Sequence, residues 1–115
     1  MSKGNLRNLM EDIAKTFDSN AVSKDLVADI QFRVSGEEPG NYYFHIENGK
    51  CNLHEGLAES PKITIKTPSE VWTAILQGEM NAQHAFLWRK FTVEGDLMLL
   101  IQLGSMFKKR EEGKE

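Results

Sequence analysis

The residue types that most often do chemistry are sparse in this sequence, and their spacing fits no catalytic site. Cys51 is the only cysteine, and His45 and His54 are two of the three histidines. A cysteine becomes a nucleophile when a nearby base or positive charge stabilises its thiolate, and a metal site needs more than two ligands. Strand alternation places Cys51 on an apolar face without a base, and both histidines on a solvated face without a third ligand. We therefore predict a core cysteine and two surface histidines.

The remaining motifs also lack the residues that their chemistry requires. Gly36 and Gly40 flank acidic residues, which repel a phosphate, and the sequence has neither a G-x-G-x-x-G motif nor a P-loop. Ser60 and Ser105 lack the G-x-S-x-G context of a nucleophile elbow, and we interpret His84 as the polar edge of a helix. We therefore predict that the chain is not an enzyme and binds neither a metal ion nor a cofactor.

Length and composition limit the architecture and the partners. The 115 residues include 14 Lys plus Arg and 17 Asp plus Glu, which gives a formal net charge of −3. An acidic chain does not offer, on average, the basic face that nucleic acid requires. No run reaches the roughly 20 apolar residues of a membrane span, and one cysteine cannot form an internal disulfide. We expect a single cytoplasmic domain over residues 1–107 that does not bind nucleic acid, followed by a charged, disordered tail over residues 108–115.

Hydrophobic periodicity predicts the elements that position these residues, in the order α-β-β-β-β-α-α-β-α. Apolar residues at helical spacing predict a first helix over residues 3–17, and alternation from Ala28 to Val34 predicts a half-buried strand. Asn48-Gly49 is typical of a type I′ turn. The register that this turn sets pairs Phe44 with Leu53 on an apolar face and His45 with Asn52 on a polar one. The sheet should therefore have one solvated side.

The second half of the chain is predicted to be mainly helical. Thr67, Pro68 and Glu70 fit a capping box with proline at the first helical position. Asn81 is predicted to cap a second short helix, and a short fifth strand follows at residues 90–94. Asp96 is predicted to cap the last helix, which runs to about residue 107. Strands early and helices late indicate an α+β domain whose helices cover one sheet face.

The last helix carries more apolar residues than one sheet can bury. Its apolar side chains cover roughly 220° of the helical wheel, whereas packing on a single sheet needs a stripe of about 100°. They are Leu97, Leu99, Leu100, Ile101, Leu103, Met106 and Phe107. Three interpretations stay open from the pattern alone: a helix sandwiched between the sheet and other helices, a subunit interface, and an apolar ligand cavity.

Residues 78–103, GEMNAQHAFLWRKFTVEGDLMLLIQL, resemble the hallmark stretch of the sterol carrier protein 2 domain family. The residues that match the family pattern are Gly78, Asn81, Gln83, Ala85, Phe86, Lys90, Phe91, Val93, Gly95 and Asp96. The Asn48-Gly49-Lys50 turn, the strand at residues 63–65 and the helix start at residues 68–70 are also similar, so the likeness covers residues 20–107. The family often has proline where Ala82 stands and glycine where Arg89 stands, and these departures bear on the ligand more than on the fold.

The resemblance implies a five-stranded, largely antiparallel sheet with helices on one face, enclosing an apolar tunnel. Family members bind and carry fatty acids, acyl-CoAs, sterols and phospholipids without catalysing a reaction. We therefore expect a non-catalytic lipid carrier that is a monomer or a weak homodimer and makes transient contact with membranes. The residues expected to line the site are Trp72, Ile75, Leu76, Gln83, Phe86, Phe91, Val93, Leu97, Leu100, Ile101 and Leu103, with Phe32 and Phe44 as its floor.

Two other functions fit the same residues. The apolar surplus of residues 97–107 suits a protein-interaction or dimerisation module of the same fold. An accessory factor that presents an isoprenoid or quinone intermediate to a biosynthetic enzyme needs a similarly apolar site. The sequence does not separate these functions from general lipid carriage.

Overall fold

Strands and helices follow one another in the predicted order. The computed structural model describes residues 5–107, so the predicted tail at residues 108–115 lies outside the described residues. The helices are α1 (Asn5–Ala14), α2 (Ser69–Leu76), α3 (Ala82–Leu87) and α4 (Leu97–Met106), with a 3-10 turn at Ser19–Ala21. The strands are β1 (Ala28–Ser35), β2 (Gly40–Glu47), β3 (Lys50–Glu55), β4 (Ile63–Pro68) and β5 (Thr92–Gly95).

The five strands form one sheet in the order β3-β2-β1-β4-β5. Neighbouring strands are antiparallel except for the central pair β1–β4, which is parallel. This confirms the α+β class and the largely antiparallel sheet. The parallel pair arises because the chain passes from β3 back across β2 and β1 before β4 begins. The carboxyl ends of β1 and β4 therefore lie side by side.

The β2–β3 hairpin has the register that the Asn-Gly turn predicts. Asn48 has φ 56° and Gly49 has φ 72°, the left-handed conformations that a type I′ turn requires. Phe44 faces Leu53, and His45 faces Asn52. The apolar and polar residues of the hairpin therefore separate onto opposite faces of the sheet.

The predicted capping box at the start of α2 is wrong. Thr67 and Pro68 belong to β4, where Thr67 pairs with Val34 and is buried, and the helix begins at Ser69. The Thr67 hydroxyl donates to the Pro68 carbonyl at 3.0 Å, and no side chain caps the helix. The strand pairing holds Thr67 in the sheet, where its side chain points toward the core and away from the first turn of the helix.

The first helix is shorter than the period of its apolar residues predicts. It ends at Ala14, and Phe17 instead forms an isolated antiparallel bridge with Phe107. The Asp18 N–H donates to the Met106 carbonyl at 2.7 Å, which ties this bridge to the end of α4. The segment after α1 therefore pairs with the end of α4 and does not continue the helix.

The core lies between one face of the sheet and the helices. We call this the inner face, and the opposite one the outer face. Alternate residues of β1 and β4, including Ile30, Phe32 and Ile65, are buried on the inner face beneath side chains of α1, α2 and α4. Burial of apolar area of this kind contributes about 25 cal/mol per Å². The inner face is therefore the apolar side of the sheet.

Candidate functional site

Aromatic rings form one continuous row across the inner face of the sheet. Six consecutive ring contacts, with centroids 5.3 to 5.7 Å apart, link seven rings. In order they are Phe17, Phe107, Phe44, Phe32, Trp72, Phe91 and Phe86. We call this set the aromatic row. It contains all six phenylalanines of the sequence, so the large rings are concentrated at one place in the fold.

Trp72 on α2 connects the two parts of the aromatic row. Its ring lies 5.3 Å from that of Phe32 on β1 and 5.5 Å from that of Phe91, which directly precedes β5. Trp72 is 8% exposed, and Phe32 and Phe91 are buried as well. The contacts are tilted or edge-to-face, the arrangements that aromatic rings prefer, each worth about 0.5–1.5 kcal/mol beyond the buried area. Trp72 therefore connects β1 to the segment that leads into β5.

Two side-chain caps place the helices that complete the inner face. The Asn81 side chain accepts a hydrogen bond from the His84 N–H at 3.0 Å and so begins α3. The Asp96 carboxylate accepts from the Met98 and Leu99 N–H groups at 3.0 and 3.2 Å and begins α4. Both caps were predicted from the sequence, and each is worth about 1 kcal/mol.

The predicted site residues fall into three groups by exposure. Phe32, Phe44, Trp72 and Phe91 are buried in the core. Six more are half-buried and packed against it: Ile75, Leu76, Phe86, Val93, Leu100 and Leu103. Gln83, Leu97 and Ile101 are exposed, with Leu97 at 52% and Ile101 at 71%. Ten of the thirteen predicted residues therefore meet at the inner face, and three lie on the surface of α3 and α4.

Sequence reasoning missed the far end of the aromatic row. Phe17 and Phe107 were assigned to helices, yet they pair with each other and close the row against Phe44. Leu99 and Met106, which are 4% and 0% exposed, form the buried side of α4. No local pattern reports a contact between residues 17 and 107.

The inner face offers apolar contact and almost no polar chemistry. Among the described residues, the buried core is apolar except for Gln31, Thr67 and Ser69, and it contains no charged side chain. Cys51 is half-buried against it, and burial raises the pKa of its thiol to about 12. The thiol is therefore protonated at neutral pH and is a poor nucleophile. The inner face therefore offers mainly apolar contacts.

The outer face carries the polar residues, with partners that the sequence did not predict. His45 lies between two carboxylates: Nδ1 is 2.6 Å from Oδ1 of Asp29, and Nε2 is 2.8 Å from Oε1 of Glu47. The ring of His54 stacks on that of Tyr43 at 5.1 Å. Among residues 5–107, no group of three or more His, Cys, Asp or Glu side chains is arranged to hold a metal ion. Both histidines therefore have side-chain partners on the outer face.

No helix within the described part of the chain is long and apolar enough to cross a membrane. A family model described as the SCP-2 sterol transfer family matches residues 8–108. The hydroxysteroid dehydrogenase-like protein 2 of Xenopus tropicalis is 30% identical over 74 residues, which are 64% of this chain and 18% of that protein. The chain therefore spans about a fifth of the length of this relative.

Two solved structures share the fold. The NMR structure of palmitated SCP2L2 from Aedes aegypti is 19% identical, with a TM-score of 0.73 over 91% of this chain and 93% of that one. The NMR structure of sterol carrier protein 2 from the same species, in complex with the C16 fatty acid palmitate, is 21% identical. Its TM-score is 0.69, and the match covers 91% of this chain and 94% of that one.

Proposed function

The chain belongs to the SCP-2 sterol transfer family, and on that basis we propose that it binds and carries the acyl chain of a fatty acid or a related lipid, without catalysing a reaction. The observation that carries this proposal is the aromatic row, a continuous apolar surface across the inner face. It is covered by helices, and no charged side chain is buried among the described residues. An acyl chain is the kind of ligand that such a surface recognises.

Free-energy magnitudes favour a ligand of this size. Burial of an acyl chain gives about 0.8 kcal/mol per CH2, so sixteen carbons offer roughly 12 kcal/mol before costs. Loss of translational and chain freedom takes back several kcal/mol, which leaves micromolar or somewhat tighter affinity. Apolar walls distinguish one methylene weakly. We therefore expect broad selectivity among chain lengths.

The same magnitudes constrain the ligand-free protein. A dry cavity of about 400 Å³ would cost roughly 10 kcal/mol at 24 cal/mol per Å³, whereas folded domains are stable by about 5–15 kcal/mol. An empty tunnel is therefore too costly to keep open. The rings of the aromatic row contact one another, and we expect a lipid to enter by separating helices from the sheet.

Exposed apolar side chains on α3 and α4 suggest where a membrane is met. Leu87 is 71% exposed and the adjacent Trp88 is 68% exposed, while Met98 and Ile101 on α4 are 65% and 71% exposed. Tryptophan is enriched at membrane–water interfaces. Since Phe86 at the end of the aromatic row directly precedes Leu87, transient contact here would bring a bilayer next to the proposed site.

Organic extraction of the natively purified protein, followed by mass spectrometry, tests the proposal. We expect a co-purified lipid or, in a delipidated sample, a rise in melting temperature on addition of palmitate. Neither a lipid nor a shift would contradict carriage and favour a protein-interaction module instead.

A pair of variants tests where the lipid lies. Leu100 is half-buried against the core, so L100R should abolish palmitate binding by placing a charge there, whereas H54A on the outer face should leave it unchanged. Circular dichroism of both variants checks the fold, and L100Q is measured in parallel because it introduces no charge. Equal loss of binding in folded L100R and H54A would contradict the placement on the inner face.

A further inference from the structure

A groove lined by cations lies at the end of the sheet where β1 and β4 terminate. Its volume is about 590 Å³, and four basic side chains line it: Arg33, Lys66, Arg89 and Lys90. The parallel register places Arg33 directly beside Lys66 on the outer face. Arg89 and Lys90 come from the segment between α3 and β5. The strand order thus gathers positive charge in a chain whose net charge is −3.

Most of this charge has no carboxylate partner among residues 5–107. Lys66 pairs with the exposed Glu94 at 3.0 Å. Within the described residues, Arg33, Arg89 and Lys90 make no ion pair with a carboxylate. Unpaired cations around one concavity repel one another and raise the local concentration of anions. A bound anion would relieve that repulsion.

The backbone at Arg89 points to a role for its side chain. Arg89 has φ 60°, and Asn48 in the hairpin turn is the other described non-glycine residue with a positive φ. Asparagine tolerates this conformation, whereas arginine rarely adopts it and glycine does so without strain. An arginine at a position where glycine would be more stable is therefore better explained by what its guanidinium binds.

We propose that this groove binds a phosphate group. Guanidinium groups donate paired hydrogen bonds that match phosphate oxygens, and lysines add point charges. The volume exceeds that of one phosphate, so a diphosphate or a phosphate with its attached group fits. Phe91 lines the groove and also contacts Trp72 and Phe86 of the aromatic row. The phosphate therefore comes from one of two sources: a lipid headgroup whose chain reaches the row, or a free phosphorylated compound.

Inorganic pyrophosphate is the first probe, measured by calorimetry at low salt. R33A and R89G should each weaken its binding about tenfold, the loss expected for one charge-assisted hydrogen bond. R89G relieves the backbone while it removes the charge, so a loss of binding in that variant cannot be ascribed to misfolding. The matched control is K62A, because Lys62 is exposed and lies about 13 Å from Lys66 along the strand direction. K62A should bind pyrophosphate as the unmodified protein does.

Oleoyl lysophosphatidate and oleate distinguish the two sources. If lysophosphatidate binds more tightly than both oleate and pyrophosphate, and R33A and R89G lose this advantage, the groove binds a lipid headgroup. If lysophosphatidate and pyrophosphate bind equally tightly, and R33A and R89G weaken both, the groove binds a free phosphate compound. The proposal is overturned if R33A and R89G bind both phosphates as the unmodified protein does, or if K62A weakens them equally. Pyrophosphate has no acyl chain, so its result does not depend on the lipid-carrier proposal.

Discussion

The inner and outer faces of the sheet are stabilised by different kinds of interaction, although the same strands supply both. On β1, Ile30 and Phe32 point inward and join the apolar core. Asp29, Gln31 and Arg33 alternate with them and point outward. The inner face depends on shape and buried area, which many apolar side chains supply together. The outer face depends on particular donors and acceptors, such as the side-chain amide of Gln31 and the ring of His45.

Gln31 shows that the outer face is not simply open to solvent. It is 2% exposed, and its amide NH2 donates to the carbonyls of Tyr42 and Gly56 at 3.0 Å each. Its side-chain oxygen accepts from the Ala58 N–H at 2.6 Å. Gln31 thereby holds the β3–β4 connection over the outer face. The contrast teaches that collective packing holds the inner face together, whereas single hydrogen-bonded residues hold the outer one.

The two tryptophans give the largest test of this contrast. W72A removes the ring that connects Phe32 to Phe91 in the aromatic row, and it should lower the free energy of unfolding by about 3–5 kcal/mol, the usual cost of truncating a buried aromatic residue. W88A removes a side chain that is 68% exposed and stacks on His84, and it should cost less than about 0.5 kcal/mol. Urea denaturation followed by circular dichroism measures both. Similar losses in the two variants would contradict the buried position of Trp72 between Phe32 and Phe91.

A smaller effect is expected when the outer face loses its buried amide. Q31A leaves the Ala58 N–H and two carbonyls without their partner, which should cost about 1–3 kcal/mol. The loss should be local, so amide hydrogen exchange at Ala58 should become faster by more than exchange in β1. Q83A on the exposed surface of α3 is the control. If exchange at Ala58 is unchanged, Gln31 does not hold the connection.

Local chemistry explains which parts of the fold were predictable. The β2–β3 register followed from a two-residue period and from Asn48-Gly49, both of which act between near neighbours. The caps at Asn81 and Asp96 are local in the same way. The capping box at Thr67 failed because pairing with β1, more than thirty residues earlier, holds that residue in the sheet. The end of α1 was misplaced because Phe17 pairs with Phe107.

The candidate site was predictable in kind and less so in detail. Apolar surplus and the family resemblance together selected five rings of the aromatic row. The surplus of apolar residues on α4 did not show which of them would be exposed. A helical wheel gives the width of the apolar face but not the elements that cover it. The net charge of −3 gave no indication of the cationic groove. Only the parallel pairing of β1 with β4 brings Arg33 beside Lys66.

His45 gives the smallest and most specific test, since it depends on pH. The hydrogen bond that the His45 ring donates to Asp29, and next the one that it donates to Glu47, raises the pKa of His45 above its ordinary value of 6.5. A histidine whose pKa is higher in the folded state stabilises the fold fully below pH 6.5, and this contribution is lost as pH rises through the folded-state pKa. D29N removes the larger cause, so the pKa of His45 should fall toward 6.5 in an NMR titration. Its ring is 33% exposed, and screening limits the loss of stability at pH 6 to about 0.5 kcal/mol.

The difference in the free energy of unfolding between D29N and the unmodified protein should therefore be larger at pH 6 than at pH 9. E47Q, which removes the smaller cause, should lower the pKa of His45 by less than D29N does. Neither substitution touches the inner face, so palmitate binding should be the same in both variants at a fixed pH. A pKa of His45 that is unchanged in D29N would show that this carboxylate does not hold the ring. A change in palmitate affinity would show instead that the two faces are energetically coupled through β1.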